Sequence, residues 1–181
     1  RGRIVEDGDP RVLACDVACR RNTAGFVPAG ASGAKAVADF LTPVVPDGAS
    51  DLVAAVRNGA ALGEAGRELR VVLVSDGVAT AGYERPARAA EEVRDAVPKD
   101  AAVLAVPVGS DANGDWLGEV ARGGGGVVVP YAPGERVSDV VLAIAGAGAG
   151  EMLRDPTVEL PAGLEDAAPR ALPTLRAGGE T

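Results

Sequence analysis

The chain has 181 residues, of which 47 % are hydrophobic and only 3 % aromatic, and its formal net charge is −8 with no histidine at all. The negative balance argues against a phosphate-backbone ligand, which calls for clustered Lys and Arg, so no nucleic-acid partner is expected. Without histidine there is no Ser-His-Asp or Cys-His catalysis and no imidazole metal site; any metal must sit among oxygen ligands, which favours Mg²⁺, Ca²⁺ or Mn²⁺.

The elements follow in chain order. "RVLAC" (Arg11 to Cys15) reads as a buried strand, and Val17 to Arg21 either continues it or pairs with it. Cys15 and Cys19 are too few for a disulfide framework. They are expected as small core residues, with a local pair across a tight bend as the second reading. Asn22 to Gly33 is loop-like. "SGAKAVADFL" has helical spacing in Ala36, Val37, Phe40 and Leu41, with Ser32 as N-cap and Pro43 and Pro46 as its stop. A turn at Asp47-Gly48 leads into a helix carrying Leu52, Val53 and Val56.

"LRVVLVSDGVATAG" (Leu69 to Gly82) is an apolar strand that ends abruptly in Ser75, Asp76 and Gly77. "YERPARAAEEVRDAV" is the strongest helix, with Pro86 in its first turn, an Arg88–Glu92 pair, and Ala90, Val93 and Val97 on its apolar face. "AAVLAVPVG" is a buried strand, "GDWLGEVARGGGG" a short helix ended by glycines, "VVVP" a further strand and "RVSDVVLAIAGAG" a helix. Glu91-Glu92 reads as a solvated helix face.

Strand and helix alternate from residue 50 to about 150, and the strands are continuous apolar runs. That pattern predicts an α/β fold, a doubly wound, mostly parallel sheet with helices on both faces. The predicted α/β domain covers residues 1–150. Residues 151–181, rich in Pro, Gly and charge, are expected as a β-type or extended segment, with Thr157 to Leu160 as its strand. The longest apolar stretch, Val140 to Gly150, falls short of the ~20 residues of a bilayer span, so no membrane span is expected. The opening at Arg1 and the end at Thr181 lead to the expectation of a piece of a longer chain, and the composition fits a high-GC bacterial gene; the compartment stays open, with a lean to the cell envelope or extracytoplasmic space.

In open α/β sheets ligands sit beyond the carboxyl ends of the strands, which places Asp76 first among the candidates. Its bland reading is a cap for the following turn. Ser50, at the start of a helix, is either an N-cap or a hydroxyl at the same sheet edge as Asp76; together the two make a partial oxygen site for Mg²⁺. "GASGAK" misses the phosphate-loop spacing, and "GGGG" precedes a strand, the wrong side for a dinucleotide fingerprint. A phosphatase-type reading of "SDG" lacks the nucleophilic carboxylate two residues earlier, where Val74 stands.

Residues from about 11 to 150 resemble a von Willebrand factor A-type domain. "PDGASDLVAAV" is similar to that family's Gly-x-Thr-Asp/Asn loop, with Ser50 in place of Thr. "LRVVLVSDGVATAG" resembles its apolar strand ending in (Thr/Ser)-Asp-Gly, and "LGEVARGGGGVVVPY" its late helix and strand. The tail "LRDPTVELPAGLEDAAPRALPTLRAGGE" is similar to the segment after this domain in proteins like inter-alpha-trypsin inhibitor heavy chains. The resemblance implies a metal-ion-dependent adhesion site in which Ser50 and Asp76 help to hold a divalent ion that captures an acidic group of a protein partner. The family's D-x-S-x-S motif is missing: "CDVACR" has Ala18 and Arg20 at the serine positions and resembles the family's second strand. The first strand and helix are therefore expected to lie upstream of Arg1, and this chain is expected to bind Mg²⁺ weakly and to be marginally stable or prone to oligomerise. The rival from another class is a Mg²⁺-dependent hydrolase or phosphotransfer enzyme using Asp51 or Asp111 near Asp76; the third reading is a metal-free scaffold.

Overall fold

A computed structural model of the chain describes residues 10–22, 25–26, 30–45, 48–149, 152–153, 156–164 and 175–176. Over these residues the protein is mixed α/β, with five helices and three two-stranded sheets, one of them parallel. The predicted domain boundary at 150/151 and Asp47 of the predicted turn lie outside the described residues.

β1 (Leu13–Cys15) and β2 (Cys19–Arg21) pair antiparallel, with Cys15 opposite Cys19. These two cysteines are joined by a disulfide, which corrects the expectation of free core thiols. The register explains it: directly opposite residues in an antiparallel pair have their Cβ atoms close enough for a bridge. At the start of the hairpin, Arg11 donates to Leu62 O at 3.2 Å and to Glu64 Oε1 at 2.6 Å, and its guanidinium lies 4.0 Å from the Phe26 ring centroid.

α1 (Ala31–Leu41) is the helix expected there, but its cap is Gly30; Ser32 lies inside the first turn and makes no cap. Its apolar stripe stays outside the core, with Val37 and Phe40 half-buried, Ala36 and Leu41 exposed, and only Gly33 buried. α2 (Leu52–Ala60) buries Leu52, Val53, Val56 and Ala60 as its spacing predicts.

β3 (Arg70–Ser75) and β4 (Ala102–Pro107) form the parallel pair, in register from Arg70 opposite Ala102 to Ser75 opposite Pro107. α3 (Pro86–Ala96) connects them, starting at the predicted proline. Arg88 pairs with Glu91 at 2.5 Å and Glu92 at 3.3 Å; the hydrogen bond to Glu91 and its charge hold the guanidinium pKa above its usual value. Glu92 is more than a solvated face residue, because it is half-buried and also pairs with Arg57 of α2.

α4 (Gly114–Gly123) packs on α3 and β4. The glycine run then lets the chain pass flush against α3 and over β4: a Cβ on Gly123 would stand 2.3 Å from Ala90 O in α3, and one on Gly126 would stand 1.8 Å from Val103 O in β4. Past the glycines, "VVVP" is reduced to one parallel bridge, Val128 to Ala105, held by Ala105 N–H to Val127 O (3.1 Å) and Val129 N–H to Ala105 O (2.8 Å). α5 (Val137–Gly148) follows. The tail strand is misplaced in the sequence reading. Thr157 to Leu160 is exposed and forms no strand with any described residue, whereas β5 (Met152–Leu153) pairs with β6 (Leu175–Arg176).

The main core lies on one face of β3 and β4. Leu73, Val103 and Ala105 meet Val53, Val56, Val93, Trp116, Leu117 and Val120 from α2, α3 and α4. On the alternate positions Val106 meets Val129 and Val140, so α5 lies on the opposite face of β4. Every residue of β4 from Ala102 to Val106 is buried. β3 is different. The expectation of a strand covered on both faces fails there, because Val72 is 42 % and Val74 63 % exposed.

Candidate functional site

β3 delivers Ser75 and Asp76 at its carboxyl end, and the chain then turns sharply. Gly77 has φ +74°, and a Cβ there would stand 2.7 Å from Asn113 O and 2.8 Å from Leu117 Cγ. Only glycine fits, because the left-handed backbone and the close approach both exclude a side chain. The turn is fixed by side chains as well. Ser75 Oγ accepts from Gly77 N–H at 3.1 Å, and Asp76 Oδ1 accepts from Val78 N–H at 2.9 Å. The Asp76 carbonyl accepts from Asn113 N–H at 2.6 Å, which ties the turn to the start of α4. Asp76 is therefore a turn-forming residue, and it is exposed. Its Oδ2 has no hydrogen-bond partner among the described residues.

Ser50 arrives from the loop before α2. Its N–H donates to Thr80 Oγ1 at 2.8 Å, and its carbonyl accepts from Thr80 N–H at 3.1 Å and Ala81 N–H at 3.2 Å. The loop that carries Asp76 is thus stitched to Ser50 three times. Ser50 does not cap α2. That role belongs to Asp51, whose Oδ1 accepts from Ala54 N–H at 2.9 Å. The neighbour's capping leaves Ser50 Oγ without a partner among the described residues.

Asp51 N–H also donates to Asp16 O at 3.2 Å, bringing the end of β1 to the same edge. The Asp16 carboxylate accepts from Ala18 N–H at 2.8 Å and lies 3.9 Å from Arg20. Asp111 is exposed in the loop after β4. So the structure brings Ser50, Asp51, Asp16 and the Asp76 turn to one end of the strands. Asp16 enters the sequence reading only as the aspartate of the incomplete D-x-S-x-S match in "CDVACR", and the structure brings its backbone carbonyl to this edge. Among the described residues no three His, Cys, Asp or Glu side chains come close enough to hold a metal ion by themselves.

No protein-family model matches the chain, and no curated protein matches it at a significant level. No helix among the described residues is long and apolar enough to cross a membrane.

Proposed function

We propose that the chain is a non-catalytic protein-binding module of the von Willebrand factor A type, with Ser50 and Asp76 as two oxygen ligands for Mg²⁺, Ca²⁺ or Mn²⁺. The observation that carries this reading is the triple hydrogen bonding between Ser50 and Thr80-Ala81, which fixes the hydroxyl-bearing loop against the carboxylate-bearing one. The donor chemistry fits a hard cation: one uncommitted hydroxyl and one exposed carboxylate oxygen. Mg²⁺ commonly uses one or two protein carboxylates and keeps several waters, so two protein ligands give weak binding, in roughly the millimolar range. A bound ion would supply an open coordination position for an acidic group of a partner.

In this reading β3, β4 and residues 127–129 belong to a doubly wound parallel sheet. The placing of α2, α3 and α4 on one face and α5 on the other supports that topology. Of the two carboxylates named for the rival hydrolase, Asp51 is committed to capping α2, and Asp111 is exposed in the loop after β4.

The test is a Mn²⁺ titration followed by paramagnetic broadening of backbone amide signals. Saturable broadening centred on residues 50 and 76–80, lost in Asp76→Asn, is the expected result. Asparagine keeps the acceptor for Val78 N–H and removes the charge, so the turn survives. Broadening spread over all the surface carboxylates, unchanged in Asp76→Asn, would refute the site.

A further inference from the structure

Cys15 and Cys19 are the chain's only cysteines, and the three residues between them make the apex of the β1–β2 hairpin. Asp16 organises that apex. Its N–H donates to Ala18 O at 3.1 Å, and its Oδ1 accepts from Ala18 N–H at 2.8 Å. Its carbonyl accepts from Asp51 N–H at 3.2 Å, and Asp51 is where three segments meet. The Asp51 Oδ1 caps α2, and a Cβ on Gly82 would stand 2.6 Å from the same carboxylate. Ser50, one residue earlier, is bonded to Thr80 and Ala81. A shift of the Asp51 backbone is therefore felt at Ser50 and in the loop that follows Asp76.

The hairpin is tied down at both ends. Where it opens, Arg11 donates to Leu62 O at 3.2 Å and pairs with Glu64 at 2.6 Å, just past the end of α2. At the apex, among the described residues, the hydrogen bond to α2 is the one from Asp51 N–H, and its acceptor sits beside the disulfide. Each strand is three residues long, and a two-stranded hairpin of that length is marginal without a further constraint. The bridge between Cys15 and Cys19 is that constraint. Both cysteines are half-buried, Val17 and Ala18 between them are exposed, and neither cysteine is among the core residues. A small thiol therefore reaches the bridge, and cutting it leaves the core packed.

We propose that the Cys15–Cys19 bridge is a redox clasp on the candidate site. Oxidised, it holds the Asp16 carbonyl on Asp51 N–H and keeps the Ser50 loop in place. Reduced, it releases the apex from the start of α2 and weakens metal binding, while Arg11 keeps the other end of the hairpin anchored. The weakening of metal binding rests on the Ser50–Asp76 reading given above; the release of Asp51 does not. The reductant is a low-molecular-weight thiol. Its thiolate attacks one cysteine sulfur, breaking the S–S bond and forming a mixed disulfide, and a second thiolate then displaces the cysteine as a small-molecule disulfide. Two thiols are oxidised, the bridge takes up two electrons, and both cysteine thiolates are protonated from water.

The test uses the full chain, oxidised and after reduction with 2-mercaptoethanol that is then removed under argon, and reads amide hydrogen exchange and a Mn²⁺ titration in both states. On reduction the Asp51 amide should exchange roughly twofold to tenfold faster, the worth of one backbone hydrogen bond. The Val103 and Ala105 amides, bonded to Gly124 O and Val127 O, should keep their rates. The Mn²⁺ midpoint, read as broadening at residues 76–80, should rise by a similar factor. The double variant Cys15→Ser, Cys19→Ser should exchange at the reduced rate with or without the thiol; if it fails to fold, the reduced natural chain decides the matter. An unchanged Asp51 amide when both cysteines are open to alkylation would overturn the proposal. So would equal acceleration at Val103 and Ala105, which would make the bridge a support of the whole fold, or an unchanged Mn²⁺ midpoint with Asp51 released. Release of Asp51 with no localised Mn²⁺ broadening in either state would support the clasp and refute the metal reading instead.

Discussion

Replacing Gly126 by alanine adds a single methyl group, which would stand 1.8 Å from Val103 O, 2.6 Å from Val103 C and 2.9 Å from Val103 N. All three atoms are backbone of β4, the strand buried along its length, so no side chain can swing aside. Val103 N–H donates to Gly124 O at 3.2 Å and Gly126 N–H to Ala121 O at 2.7 Å, so any shift also disturbs the end of α4. Forcing one extra carbon into a packed core costs about 1–3 kcal/mol. For a chain of this size that lowers Tm by roughly 2–12 °C, at about 2–4 °C per kcal/mol. The matched control is Gly146→Ala in α5, where a Cβ meets nothing within 4 Å. Alanine there should stabilise by about 0.5–1 kcal/mol through helix propensity. Denaturant unfolding followed by the fluorescence of Trp116, the chain's one tryptophan and 1 % exposed, reads both variants. A neutral or stabilising Gly126→Ala would refute the claim that the glycine run exists to bring the backbone onto β4.

Gly77→Ala should destabilise by a comparable amount and also move the Asp76 turn, visible as shifted amide signals from Asp76 to Val78, because both φ and the close approach to Asn113 forbid the methyl group. Asn113→Ala and Asp51→Ala each remove a side-chain N-cap, from α4 and α2 respectively, and should each cost about 1 kcal/mol in denaturant midpoint analysis. A loss near zero in either would mean that water replaces the cap. Reduction of the Cys15–Cys19 bridge should cost at most about 2 kcal/mol, since it closes a very short loop, and unfolding with and without reductant measures it.

Much of the fold was legible because it is local. Period-3.6 stripes marked α2 and α3, Pro86 marked a helix start, and uninterrupted Val, Leu and Ala marked β4. What failed depended on neighbours far along the chain. β3 reads as apolar as β4, yet Val72 and Val74 on one of its faces are exposed, and no property of "RVVLVS" announces that. The stripe of α1 is regular, but no element among the described residues buries it. "VVVP" has strand composition and yet pairs through one bridge, since the flush passage of the glycines fixes its approach to Ala105. At the candidate site Asp76 and Ser50 were legible from strand ends and helix starts. The capping role fell to Asp51 instead, because the residue whose carboxylate reaches the third backbone N–H wins that position. The disulfide required the register of β1 against β2, which spacing alone leaves open.

The hairpin bridge also bears on the order of events as the chain folds. Only three residues separate Cys15 from Cys19, so their thiols encounter each other in the unstructured chain within the time of local loop closure. Oxidation therefore need not wait for the α/β core, and the core need not be complete for the bridge to survive. The redox state of this pair follows the thiol poise of the surroundings in which the chain is synthesised. An oxidised chain enters folding with its first turn already closed and Asp16 held at the apex, ready to receive the start of α2.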